Sequence, residues 1–276
     1  MQQKRQNRNI AARMISLILS VLLFGYVFAD ASGVISDPLH ILKKDSRTHS
    51  TSNTITDYSN TATSVNDVSI PAFDGNSDAY VLNEDTPFFT GEDLVYKEPY
   101  TDFSDLDSMG RAGVADAVLG KETMQTHDRG SISDIHPSGW WEAKQTDVNV
   151  NRSHLIGNQL AGDVTDCAEN MITGSRQLNA GGKYEGSMLV YENAVADYMK
   201  STGNHVRYRV SPVFENNDCT PKGVLMEAES IEDEGRGLRF CVYIYNIQDG
   251  YECDYQTGLW EKVTTAEVHE SARNQK

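Results

Sequence analysis

The chain has 276 residues, with 24 Lys and Arg against 40 Asp and Glu, for a formal charge of −16. That length holds one medium domain and additional segments. The acidic excess argues against tight, extended binding along a nucleic-acid backbone, which leaves a basic footprint, and suits a soluble protein that grips a ligand locally. The first segment is a targeting signal. Lys4, Arg5, Arg8 and Arg13 precede an apolar run from Met14 to Ala29, and Ala29-Asp30-Ala31 is a small-x-small cleavage site. Residues 1–31 thus read as a secretory signal peptide. The alternative is an uncleaved N-terminal membrane anchor, although the run is marginal for crossing ~30 Å of hydrocarbon. Either way the rest faces outward, and without residues 1–31 it keeps 20 basic and 39 acidic residues. Residues 32–75, typified by Thr48-His49-Ser50-Thr51-Ser52-Asn53-Thr54, read as a polar, disordered linker. Ser69–Phe73 and Asp78–Asn83 are apolar enough to dock on a folded domain placed at 76–263.

Tyr100 to Ser108 is turn-rich, and Gly110 to Leu119 fits either a short helix or a strand followed by a turn. His127-Asp128-Arg129-Gly130-Ser131 reads as structural. Trp140 and Trp141 begin a predicted strand running towards Val148 and Val150, with a turn at Asp147-Val148-Asn149. A tryptophan pair can stack on bases, but large aromatics more often fill cores. Val150 to His154 is a second strand. Period-2 alternation puts Arg152 and His154 on one face of it, pairing a permanent planar cation that holds phosphate oxygens with a base of near-neutral pKa. Asn158 to Cys167 reads as a polar loop, and 168–180 as the source of a helical element. Ser187 is the expected N-cap of a helix from Met188 to Ser201, with Leu189, Glu192, Val195, Ala196 and Met199 on one face and Gly203 closing it. Strand-like runs follow at His205–Phe214, Val224–Ser230 and Leu238–Ile247, with an Asp249-Gly250 hairpin turn leading to Tyr251–Tyr255. Residues 264–276 form a polar tail.

Cys167, Cys219, Cys241 and Cys253 are even in number in an exported chain, which favours disulfides, and four cysteines permit three connectivities. Cys241 and Cys253 lie on successive strand-like runs and are the favoured pair, leaving Cys167 with Cys219. Free buried thiols are the alternative. No Cys-x-x-Cys or zinc-spaced His accompanies them, which argues against a structural zinc site.

Asn151-Arg152-Ser153-His154, then Asn170-Met171-Ile172-Thr173-Gly174-Ser175-Arg176-Gln177-Leu178-Asn179, then Tyr191-Glu192-Asn193, occur in an informative order. Over roughly residues 96 to 260 the chain resembles the DNA/RNA non-specific endonucleases of the ββα-metal type, in particular the DNA-entry nuclease branch. The resemblance implies an α+β fold: a central antiparallel β-sheet with flanking helices and a ββα-metal motif. It implies His154 as general base, Arg152 clamping the scissile phosphate or bracing the site, and Asn151 as first member of the box. Asn179 would hold the metal, with Asn170 as competitor, and Glu192 would anchor its water shell. Arg176 and Lys183 are near enough in sequence to contact flanking phosphates. The implied cofactor is Mg²⁺, with Mn²⁺ able to substitute, and the implied substrates are DNA and RNA cut to 5′-phosphate ends by a secreted or surface-tethered enzyme. Two positions depart from the commoner pattern. Asn151 replaces an Asp and cannot stabilise an imidazolium by charge, and Ser153 replaces a Gly beside the scissile site. The competing readings are a non-catalytic binding module of the same fold and a metal-free phosphodiesterase using His205 as a second histidine.

Overall fold

A computed structural model describes residues 52–54, 69–73, 75–182 and 186–263, with Ser69 and 52–54 as backbone only. The predicted signal or anchor, most of the linker, Lys183 and the tail lie outside the described residues. The described strands are β1 (Ser52–Thr54), β2 (Ser69–Pro71), β3 (Ala79–Val81), β4 (Tyr100–Phe103), β5 (Ala115–Leu119), β6 (Val150–His154), β7 (Met171–Ser175), β8 (Val206–Val213), β9 (Gly223–Ser230), β10 (Arg239–Tyr245), β11 (Tyr251–Asp254) and β12 (Leu259–Lys262). The helices are α1 (Trp140–Ala143), α2 (Asn158–Ala161), α3 (Arg176–Ala180) and α4 (Met188–Thr202). Among the described residues no helix is long and apolar enough to cross a membrane.

The fold is α+β. Six strands form an antiparallel sheet in the order β3-β10-β9-β8-β5-β4. Its two faces differ in chemistry because side chains alternate along each strand. One face carries Val206, Tyr208, Val210, Met226, Ala228, Phe240 and Val242, all buried. On this face lies α4, whose Tyr191 ring is 5.0 Å from that of Phe240. Gly203, at φ 76°, ends α4 in the left-handed conformation that glycine adopts without strain. The other face carries an apolar cluster of Leu225, Cys241, Tyr243 and Tyr245, to which Ile70 and Leu82 contribute. Beside it is a charged zone, where Arg209 pairs with the fully buried Glu227 at 2.8 Å and Arg207 with Asp116 at 2.6 Å. Phe89 lies across both guanidiniums, and Glu227 also accepts from the Phe88 N–H, so paired charges rather than apolar groups fill that part of the interior.

Beside the sheet stands a separate antiparallel pair, β6 with β7, with His154 opposite Met171, and α3 follows directly. That is the ββα unit. Asn246, fully buried at the end of β10, fastens it to the rest of the fold. Its carboxamide oxygen accepts from the Ser175 N–H at 2.8 Å, and its nitrogen donates to the Thr173 and Pro221 carbonyls.

Four expectations need correction. Trp140 to Ala143 is helical rather than the first strand of the motif. The strand that pairs with β6 is β7, which sits inside the segment read as helical. Tyr100–Phe103, read as a turn-rich lead, is an edge strand. The disulfide pairs Cys241–Cys253 and Cys167–Cys219 are absent, because all four cysteines are free thiols. Cys241 is buried within the sheet, where its N–H donates to Asp85, while Cys253 lies on the β11–β12 hairpin opposite Trp260. Burial raises the Cys253 thiol, and the neighbouring thiol that adds to this is Cys219.

Candidate active site

Alternation along β6 sends Arg152 and His154 to one side, where they line a cavity of about 380 Å³. Gln125, Arg129, Gly157, Gln159, Asn179 and Glu192 share that cavity. Asn151 and Ser153 fall on the opposite side of the strand, and the Asn151 amide nitrogen and Ser153 hydroxyl are buried without hydrogen-bond partners. Each wall has a local cause. Leu155 and Ile156 are fully buried and anchor the end of β6. Asn170 holds the turn after them: its oxygen accepts from the Ile156 N–H at 2.9 Å, and its nitrogen donates to the Ile156 and Thr165 carbonyls. Ser175 caps α3 by accepting from the Leu178 N–H at 2.9 Å, and α3 delivers Asn179. From α4 comes Glu192. Gly157 allows it close, because a Cβ there would lie 2.5 Å from Glu192 Oε2.

His154 is enclosed. Its Nε2 is 2.8 Å from Asp166 Oδ1, and Arg129 Nη2 is 3.1 Å from Nδ1 and 3.2 Å from Nε2. A carboxylate only accepts, so Asp166 fixes the ring proton on Nε2 and leaves the Nδ1 lone pair facing Arg129. Burial lowers the His154 pKa, helped by the Arg129 charge and opposed by Asp166. Glu192 has the reverse problem. Burial pushes its carboxyl up to about 7 against the weak help of Gln159 and Arg129, and its contact with Gln159 is a long 3.5 Å.

Arg152 is braced. Its Nε donates to the Ile135 carbonyl and its Nη2 to that of Ser133 at 2.7 Å, while its guanidinium lies 4.1 Å over the Trp140 ring. Arg176 is exposed at the start of α3 and does not line the cavity. Asn170 has its carboxamide oxygen committed to backbone, whereas no side-chain hydrogen bond ties Asn179 among the described residues. An unengaged amide oxygen lining the same cavity as a buried, poorly paired carboxylate fits a hard, hydrated cation such as Mg²⁺, which takes oxygen ligands and keeps several waters. His205 is elsewhere, held between Glu122 and Glu232.

Sequence reasoning missed Arg129 and Asp166. The Asp-Arg-Gly at 128–130 reads as structural because Ser131 stands where a histidine would be needed, yet Arg129 reaches His154 across 25 residues. Asp166 sat in what read as a polar loop, with no pattern to single it out.

A family model described as DNA/RNA non-specific endonuclease matches residues 94–232. The fold is similar to NucA from Streptococcus agalactiae with magnesium bound: 26% identity, TM-score 0.58, covering 67% of this chain and 87% of that one. It is similar also to the Sda1 nuclease with bound zinc: 25% identity, TM-score 0.50, covering 59% and 82%. With the ββα unit in place and the match spanning half of its length, the chain belongs to the DNA/RNA non-specific endonuclease family and is an endonuclease.

Proposed function

We propose that the protein is an exported, Mg²⁺-dependent endonuclease that hydrolyses DNA and RNA without sequence preference and leaves 5′-phosphate ends. The observation that carries this reading is the convergence of His154, Asn179 and Glu192 on one cavity, with Asp166 on the far nitrogen of the imidazole.

His154 is the general base. Its Nδ1 accepts the proton of a water attacking phosphorus, while Asp166 holds Nε2–H and stabilises the imidazolium that forms. Arg129 faces the same nitrogen in the absence of substrate and turns to the scissile phosphate when that anion enters, freeing Nδ1. Arg152 keeps the cavity wall in place and adds positive potential. Asn179 would hold the cation through its carboxamide oxygen and Glu192 through bound water. When bound, Mg²⁺ supplies charge stabilisation at the pentavalent phosphorus and the leaving 3′ oxygen. Export rests on the signal-like residues 1–31. A nuclease that meets phosphates, which carry no sequence information, cuts indiscriminately.

The test is plasmid nicking and RNA digestion by the purified protein with Mg²⁺ and with EDTA, beside His154→Ala. Cleavage that needs the cation and falls by about 10²-fold or more in the variant, as loss of a general base predicts, is the expected result. Cleavage by the variant at the wild-type rate would remove His154 from the mechanism.

A further inference from the structure

The two adjacent tryptophans have opposite fates. Trp140 is 6% exposed and belongs to the core around Val148, Val150 and Trp260. Trp141 is 62% exposed, and its indole N–H has no hydrogen-bond partner among the described residues. It is nonetheless not loose. The His136 ring stacks on one of its faces at 4.5 Å and an interplanar angle of 25°, while the side chain as a whole stays exposed. This pair is joined to the cavity through a short chain of contacts. His136 follows Ile135, whose carbonyl accepts from the Arg152 guanidinium, and Arg152 lines the cavity two residues before His154. The cations Arg152 and Lys144 lie over the Trp140 ring at 4.1 and 5.4 Å. Asp134 and Glu142 are on the same segment, so the net charge there is small and flat apolar surface is what the patch mainly offers.

Resting on the endonuclease reading, we propose that Trp141, held by His136, is a stacking subsite for an unpaired nucleobase of the substrate strand. Every base presents a π-face, so such a platform binds without choosing sequence. A pre-stacked indole with few rotatable bonds loses little freedom on binding. In a duplex the base faces are already covered by their neighbours. The platform therefore favours single strands, gaps and frayed ends, and makes single-stranded DNA or RNA the preferred substrate class.

The experiment uses the full chain. With Mg²⁺, Trp141→Ala should raise KM on a single-stranded oligonucleotide by between about fivefold and about a hundredfold, the range that base–aromatic stacking contributes, with a far smaller effect on kcat. On a blunt duplex of the same sequence KM should change less than about twofold by the same principle. Trp141→Phe should recover most of the loss. Separately, in a His154→Ala background without divalent cation, oligo(dT) should quench tryptophan emission, and adding Trp141→Phe should remove that quenching. An unchanged KM, an equal rise on both substrates, or quenching that survives Trp141→Phe would overturn the proposal. If the wild-type chain cuts nothing, the endonuclease mechanism fails, and the quenching titration still decides whether the platform binds bases.

Discussion

At the scale of single residues, the site is a study in opposite displacements of proton affinity. His154 is held below its ordinary value by burial first and by Arg129 second, with Asp166 pulling the other way. A base must be neutral, so kcat/KM should stay high as pH falls and drop only below the ordinary histidine value near 6.5. Arg129→Ala removes a cation and should move that acid limb to higher pH. Asp166→Asn removes the negative charge beside Nε2–H and should move it lower while also slowing the reaction. Limbs that do not move in these directions would dissociate the two residues from the base. Glu192 is displaced upward to about 7 from a usual value of 4.5. Between those values the unfolded chain has shed a proton that the folded one keeps, so without divalent cation folding weakens as pH rises. Glu192→Gln should therefore raise Tm relative to wild type at pH 7.5 and leave it little changed at pH 4.5. Added Mg²⁺ should narrow the gap by binding the native wild type.

At the scale of elements, the ββα unit depends on polar clasps more than on propensity. β6 and β7 pair only with each other, and α2 and α3 are four and five residues long, too short to persist alone. Asn246→Ala strips partners from the Ser175 N–H and from the Thr173 and Pro221 carbonyls. The expected cost is about 1–3 kcal/mol for each group that stays dry. A lowered urea midpoint together with lost activity is the measurement. This explains what could be read in advance. α4 and the long strands announce themselves by period, because each buries one regular apolar face, whereas Val150–His154 stands out by its Arg-x-His spacing. Trp140 misled because large aromatics favour strands, yet these two adjacent ones sit in a four-residue helix after Gly139, whose φ of 73° turns the chain there. Asn179 and Glu192, which line the cavity, were singled out through motif order. Arg129 and Asp166 were not, since their roles come from loops that meet only after folding and leave no periodic trace. Asn170 and Asn179 look alike in sequence. Only the hydrogen bonds separate the clasp from the candidate ligand.

At the scale of the whole molecule, an acidic chain meets an acidic polymer. Among the described residues the cations at or beside the cavity are few: Arg129, Arg152 and Lys144. Since each phosphate contact adds roughly one to the salt slope, the logarithm of KM plotted against that of salt should rise with a slope no steeper than about 3. A much steeper dependence would reveal a basic surface beyond these residues. The thiols report the packing. Denatured protein should offer all four cysteines to an alkylating reagent, and in the native state Cys241, buried in the sheet, should be the slowest to react.

The Asn246 clasp also has a consequence in time. The residue it secures, Ser175, lies 71 positions earlier in the chain. A growing polypeptide completes the histidine, its carboxylate partner and both candidate metal-site residues well before the side chain that locks them together has been synthesised. Cutting competence is thus deferred until residue 246 has been made, and an interrupted chain ending before it carries the proposed catalytic groups yet lacks the means to hold them in register.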